Sequence, residues 1–432
     1  MHHTMPRATA TPTSSISWRR NLVAIWFAEL VAIVGFTVVF PILPLYVREL
    51  GVRGEQEVRI WAGVVFSGHA VAMAIFGPIW GALSDRYGRK VMVERAMFGG
   101  ALVIGLMGLA QNVQQLALLR TLQGALTGTV TAANALVATS APRKRVGYAL
   151  GMLQMAIYFG ASAGPFLGGL VADSLGYRAA FWVTGVLLLV AALGVLVFVK
   201  EDFQPLASPA SEQGAADVGR LALRYRVWNR LAPVLESPPL RSVLGVRLLM
   251  RLGARLLGPV LPLFIEAITP AGARVASITG LISGVSAAAG AAGALALGRL
   301  GDRVGYRAIL VACALVSVVC DVPQFFVTSH VPLLFLQAGT GLAMGGILVS
   351  LGASLARLAP DGQEGIVYGV DASVVSVANA VAPMVGSALA AWMGLRVPFL
   401  FAAMLFGLAG VASARLLPRH SPRVAHVPSE HT

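Results

Sequence analysis

The feature that most constrains this chain is a series of long apolar runs that recur from residue 21 to residue 417. A helix rises about 1.5 Å per residue, so roughly 20 apolar residues cross a hydrocarbon layer about 30 Å thick. The runs read as twelve spans: 21–47, 60–83, 91–111, 116–138, 147–170 and 180–199, then 241–265, 276–298, 308–327, 332–355, 366–390 and 397–417. Charged residues make up 12% of the chain and the mean hydropathy is +0.76, whereas a soluble domain carries about 25% charge. The reading is an all-α membrane protein that meets the lipid bilayer along its whole length.

A formal charge of +14 raises the question of a nucleic-acid partner, and the distribution of the charge answers it. With both termini on one side, the tails and even-numbered loops hold 22 of the 33 Lys and Arg, counting Arg241 and Arg415 at the ends of their spans. The opposite loops hold 6. That bias is the positive-inside pattern and places both termini in the cytoplasm, with no nucleic acid implied. Cys313 and Cys320, seven apart on one span, share a helix face and form neither a disulfide nor a chelating pair. The residues before Trp18 read as a disordered tail, and His2 with His3 do not amount to a metal site.

The widest polar gap, 200–240, divides the chain into similar lengths, and the two parts repeat one another. Gly81, Asp85, Arg86 and Gly88 recur 217 residues later as Gly298, Asp302, Arg303 and Gly305. At an offset of 218, Pro41, Pro44, Gly151, Pro165, Gly168, Arg178 and Phe181 recur as Pro259, Pro262, Gly369, Pro383, Gly386, Arg396 and Phe399. The expected organisation is a cytoplasmic tail (1–20), a six-helix bundle (21–199), a cytoplasmic linker (200–240), a second six-helix bundle (241–417) and a second cytoplasmic tail (418–432). Two parallel repeats suit a carrier whose halves rock about a central site.

Three segments carry chemistry-bearing patterns. The loop "GPIWGALSDRYGRK" offers Gly81 for close packing, Gly88 for a tight turn, Asp85 for a helix N-terminus, and Arg86 and Arg89 as surface anchors. "RTLQGALTG" begins at Arg120 in the fourth span. The fifth span places Gly151, Gly160, Gly164, Pro165, Gly168 and Gly169 as a small-residue face with a proline kink. With Asp302 and Arg303 repeating the loop, these segments resemble the major facilitator superfamily, and within it the twelve-span drug:proton antiporter branch, whose fifth-span motif they fit at every fixed position. The resemblance runs from Trp18 to about Leu417 and includes "FPILPLYV" at the end of the first span. It implies two pseudo-symmetric six-helix bundles, alternating access, a conformational-switch loop at Gly81–Arg89 with its copy at Asp302, and a gasket on the fifth span. The second half keeps Pro383 and Gly386 but carries Ala382 and Ser387 where glycines stood, so the gasket role is assigned to the first half alone.

A charge at the centre of a membrane helix costs roughly 2.5–3.5 kcal/mol on insertion scales, so such residues face a cavity or a partner. Glu94 and Arg95 lie near a helix end and snorkel. Glu29 lies about 10 Å into the first span, twelve residues before Pro41, where related exporters carry an acid. A carboxyl removed from water can exchange protons near neutral pH, which makes Glu29 the leading proton-coupling residue. Arg120 is its candidate partner, and Asp371 and His69 are further candidates. Arg247, Arg251 and Arg255 occupy one face of the seventh span; together with Glu29 they are expected to line the substrate cavity and to favour anionic or zwitterionic amphiphiles. Asp321, beside Pro323, is read as an early span end with no role.

The function expected is proton-coupled efflux of amphipathic drugs by alternating access, from an inner-membrane monomer with no enzymatic step and no cofactor beyond the proton gradient. The alternatives are an exporter of one metabolite, sugar or lipid, and a non-transporting membrane sensor.

Overall fold

The computed structural model describes residues 18–142, 145–201, 236–360 and 363–417, with Asp85 and Glu364 described by backbone only. Most of the 200–240 linker, residues 1–17 and the 418–432 tail lie outside the described residues, while residues 18–20, expected in the first tail, begin α1. The first half contains α1 (Trp18–Val38), α2 (Leu43–Glu49), α3 (Glu55–Tyr87), α4 (Arg89–Met107), α5 (Val113–Leu126), α6 (Thr129–Ser140), α7 (Val146–Leu175) and α8 (Tyr177–Phe198). The second contains α9 (Pro238–Leu256), α10 (Val260–Ile268), α11 (Val275–Val304), α12 (Tyr306–Gln324), α13 (His330–Leu358), α14 (Glu364–Met393) and α15 (Val397–Leu416).

All twelve expected spans are helical, but three are broken where one continuous helix was expected. The first breaks between α1 and α2 around Pro41, and the seventh breaks between α9 and α10 around Pro259, because proline withholds a backbone donor and its ring crowds the preceding turn. The fourth breaks between α5 and α6 at Gly128, whose φ of 132° only glycine adopts without strain. Nine described helices are long and apolar enough to cross a membrane, and α9 with α10, bent by 40°, makes a tenth. The other two crossings are α4, which carries Arg89, Lys90, Glu94 and Arg95, and the α5–α6 pair, neither of whose members is long enough alone. The hallmark "loop" is also mostly helix, since α3 runs through Tyr87 and only Gly88, with φ 98°, makes the turn.

The repeat is visible in the packing as well as in the helix bounds. Tyr46 and Phe181 stack with ring centroids 4.9 Å apart in the first core, and their repeat mates Phe264 and Phe399 do so at 4.9 Å in the second. Arg178 donates to Ala110 O at 3.3 Å, and its mate Arg396 donates to Phe325 O at 2.5 Å. Each half therefore has its own apolar core, and the halves meet along two seams, α7 against α11 and α3 against α14.

Without a hydrophobic drive between helices in lipid, small residues that let backbones touch decide where helices meet. On α7 a Cβ at Gly160 would lie 2.8 Å from Ile33 Cβ, and one at Gly164 would lie 2.7 Å from Val34 O. Gly168 would meet Val38 Cα at 2.7 Å, so three glycines of the fifth-span motif hold α7 to α1 inside the first half. Gly169 faces the other half, where a Cβ would sit 2.7 Å from Ser277 Cα. Gly151 has open space around it, so it does not share this packed face. In the second seam the bulk is exchanged: Ser387 stands at the place of Gly169, and the helix it meets supplies Gly63, whose added Cβ would lie 2.7 Å from Ser387 Cβ.

These contacts all lie toward one face of the molecule, the one bearing the 48–55 and 266–275 segments. Toward the opposite face, Gly77 and Gly81 on α3, Gly147 and Gly151 on α7, and Gly365 and Gly369 on α14 meet nothing within 4 Å. The halves are thus sealed at one face and splayed at the face from which residues 201 and 236 lead into the linker. Overpacking a tight contact costs about 1–3 kcal/mol, so Gly169→Val should pry α7 from α11. A cysteine reporter in the cavity should then become reachable by a thiol reagent from the sealed face. Unchanged labelling would show that this seam is not the seal.

Candidate functional site

The apolar face of α9, including Val243, Val246, Met250 and Gly253, is buried, which turns Arg247, Arg251 and Arg255 the other way. Arg247 Nε lies 2.7 Å from Asp371 Oδ1 of α14, so the acid expected to be a proton carrier is half of an ion pair. Arg251 lies in the fields of Arg255, Arg247 and Asp371. Arg255, two turns along from Arg247, keeps exposed surface. In the other half, Arg120 of α5 is buried, donates from Nη1 to Gln123 Oε1, and lies 5.4 Å above the Phe40 ring. His69 of α3 sits in the fields of both Arg120 and Arg255, with its ring near the Arg120 backbone. Arg120, Arg247, Arg251 and Arg255 thus outnumber the one acid, Asp371, that the described residues pair with them.

Glu29 departs from its expected surroundings in two ways. Its helix starts at Trp18, so it lies about 16 Å along α1, deeper than expected. It is also 0% exposed, so it does not line the cavity but lies behind its wall, between α1 and α6. Neither carboxyl oxygen has a hydrogen-bond partner by geometry, and the polar side chain beside it is Thr129, the first residue of α6. Arg120 does not pair with it. Thr129 directly follows the break at Gly128 that separates α5 from α6.

At the splayed face, Asp85's side chain lies outside the described residues, and Arg86 is exposed 5.5 Å from the Tyr87 ring. The N-terminus of α4 is capped by Glu201, whose carboxylate accepts from Arg89 N at 3.0 Å and Lys90 N at 2.8 Å. A carboxylate there is worth about 0.3–1 kcal/mol. In the repeat, Arg303 is exposed and Asp302 accepts from the Tyr306 hydroxyl, whose ring lies 4.7 Å from the Arg357 guanidinium. Arg95 does not snorkel: it stacks 3.6 Å from the Trp80 ring, and Trp80 Nε1 donates to Ala125 O at 2.6 Å.

Several functional contacts were not anticipated. Asp173, near the end of α7, accepts from Ser277 N at 2.7 Å and Ala276 N at 3.3 Å, capping α11 across the seam. Arg59 of α3, the repeat mate of Ser277, donates to Ala390 O near the end of α14 at 2.9 Å. A carboxylate at a helix N-terminus and a guanidinium at a C-terminus each complement the helix dipole. Arg48 adds a 3.4 Å contact to Glu266 across the same face. The signal lay in the 218-residue offset, which pairs 59 with 277 and brings 173 to the end of the matching helix.

Breaking a buried pair by removing one partner typically costs about 3–5 kcal/mol, because the other charge is left unpaired. Asp371→Asn should therefore lower the stability of the purified protein by about that much, while Arg247→Met with Asp371→Leu should recover more than half of the loss. Additive losses in the double variant, measured by denaturant or thermal unfolding, would show that the two side chains are not coupled.

The family model described as Major Facilitator Superfamily matches residues 25–245 and 243–432. The chain is 37% identical to "Multidrug resistance protein MdtG" of Enterobacter lignolyticus over 391 residues, 90% of each protein. It is 35% identical to the protein of the same name from Escherichia coli O6:K15:H31 over 389 residues, 90% of this chain and 92% of the other. Among solved structures, a bacterial homologue of the human lysosomal transporter Spinster, described as inward-facing and unoccupied, matches with a TM-score of 0.73 and 15% identity, over 95% of this chain and 100% of the other. The human organic anion transporter MFSD10 matches with a TM-score of 0.63 and 20% identity, over 92% and 99%.

Proposed function

The chain belongs to the major facilitator superfamily, and from that premise we propose that it is a proton-driven exporter of amphipathic small molecules, working as a monomer without an enzymatic step. The observation that carries this reading is its likeness, over nine-tenths of its length, to relatives named multidrug resistance proteins. The splayed face is taken as cytoplasmic because the positive-inside bias puts the linker and both termini there, in the inner membrane of a bacterium. Substrate then enters from the cytoplasm, and the Asp173 and Arg59 latches keep the outer face shut while it does.

Glu29 supplies the coupling in this reading. A carboxyl enclosed without a counter-charge is tolerated as the neutral acid, since the ionised form would sit unpaired in a dry site. Substrate binding that shifts α6 at Gly128 lets the proton leave to the cytoplasm. The resulting carboxylate destabilises the cytoplasm-open state, and the seams release toward the outward-open one. Protonation from outside, after the substrate departs, returns the carrier. The segment Gly81–Arg89 and its copy at Asp302 act as the switch that holds the cytoplasmic ends together in the outward-open state. Arg251 and Arg255 give the cavity a positive wall that suits carboxylate- or phosphonate-bearing amphiphiles through bidentate contacts.

The test is substrate-induced proton release from purified protein, followed across a matched series of anionic, neutral and cationic amphiphiles. Wild type should release protons, most strongly with anionic members. Glu29→Gln should abolish release and lower gradient-driven export by at least about tenfold. Export by Glu29→Gln at the wild-type rate would remove the coupling role from this residue.

A further inference from the structure

Asp321 of α12 is fully buried in the second half, away from the cavity, among side chains of α12 and α13. Its Oδ1 accepts from Thr340 Oγ1 at 2.9 Å and from Gln324 Nε2 at 3.1 Å. Gln324 Oε1 in turn accepts from Gln337 Nε2 at 2.8 Å. The second carboxyl oxygen, Oδ2, is buried with no partner. A polar cluster of this kind inside a membrane helix pair needs a reason, because each uncompensated group there costs free energy.

The hydrogen bonds at Oδ1 can be arranged for two protonation states. With the carboxyl ionised, the Thr340 hydroxyl and the Gln324 amide both donate to Oδ1. With the carboxyl protonated, Asp321 donates to Thr340 Oγ1, whose own hydrogen turns to Leu336 O at 3.2 Å, and Gln324 Nε2 keeps its contact to Cys320 O at 3.2 Å. A hydroxyl that can donate to either of two acceptors is what a site needs to gain or lose a proton without rearranging its helices.

No charge on the surrounding elements meets Asp321. On α12 itself the titratable group in its field is Cys320. Arg299, Asp302 and Arg303 of α11, Arg357 of α13 and Arg415 of α15 lie at the opposite ends of their helices. His330 begins α13, about 10 Å along the helix from Gln337. Arg396, before α15, donates to Phe325 O. Among the described residues Asp321 forms no ion pair. It lies three residues from the end of α12, about 5 Å along the helix, on the sealed face.

We propose that Asp321, with Thr340, Gln324 and Gln337, is a second proton-binding site, which exchanges with the external face and tunes export independently of the cavity. The proposal rests on the reading of the chain as a proton-driven exporter with the sealed face outward. Its ligand is a proton, and loading it needs only a small opening at the outer end of α12 and α13.

Infrared difference spectra of the membrane-reconstituted protein, recorded across pH, read the site without any substrate. A carboxylic C=O band should titrate in wild type, persist in Glu29→Gln, disappear in Asp321→Asn, and change frequency in Thr340→Val, which keeps the acid and its packing. In proteoliposomes held at fixed internal pH and membrane potential, Asp321→Asn should still export, with a dependence on external pH altered from that of wild type and reduced to what the loading of Glu29 from outside supplies. If the titrating band seen in Glu29→Gln survives when Asp321→Asn is added to it, or if Thr340→Val leaves that band unmoved, the proposal is overturned. So would wild-type dependence on external pH in Asp321→Asn. Unimpaired export by Glu29→Gln, with the Asp321 band behaving as stated, would reject the coupling role of Glu29 and leave this site standing.

Discussion

Two helices in hydrocarbon touch backbone to backbone only where neither carries bulk at the crossing, and the contact between the two halves depends on that condition being met toward one face. Gly169 against Ser277 and Gly63 against Ser387 meet it along the two seams between the halves. In the first seam the glycine is on α7, against the backbone of α11; in the second it is on α3, against Ser387 of α14. Asp173 and Arg59 then fasten the same seams through helix ends rather than through an ion pair. Such contacts are individually small, on the order of 1 kcal/mol, so the seal is firm while made and can be released by a change elsewhere of a few kcal/mol. The glycines along α3, α7 and α14 toward the other face have no opposing helix, and they leave room for the halves to close there in turn.

Charge inside the bilayer is allotted by the same economy. Arg247 and Asp371 form an ion pair between α9 and α14, while Arg251 and Arg255 stand on the same face of α9 as further positive groups. Glu29 and Asp321 are acids with no basic partner, one in each half, each beside a threonine. The two differ in surroundings. Glu29 abuts a glycine break that can move, whereas Asp321 is held in a side-chain network inside one bundle. That difference suits a carboxyl that changes exposure during a cycle and a second that changes only its proton.

Much of this was legible in the residues. The 217- and 218-residue offsets gave the two halves, but the matched breaks at Pro41 and Pro259 were not read from them, since each span was taken as one continuous helix. The motif from Gly160 to Gly169 announced a backbone contact, though not that it would divide between α1 and α11. Pairings across long sequence separations were not legible. Arg247 and Asp371 are on different helices, and nothing in either segment names the other. Glu29 was rightly singled out as an intramembrane acid, but its depth and its place behind the wall depend on where α1 begins and how α6 packs. The side-chain network around Asp321 was not legible because Thr340 and Gln337 read as ordinary polar residues until α12 and α13 are laid side by side. Ser387 looked like the loss of a motif glycine, since its compensation, Gly63, sits on another helix.

The central claim is that the protonation of Glu29 sets which face is open. Spin labels at Ala82 and Tyr368, and in a second protein at Arg53 and Arg274, would report the two faces, with Cys313 and Cys320 replaced. Raising the pH or adding an exported drug should shorten the 82–368 distance and lengthen the 53–274 distance, and Glu29→Gln should hold both at their low-pH values. If the two distances ignore pH and drug, or if Glu29→Gln still responds to pH as wild type does, the account is contradicted.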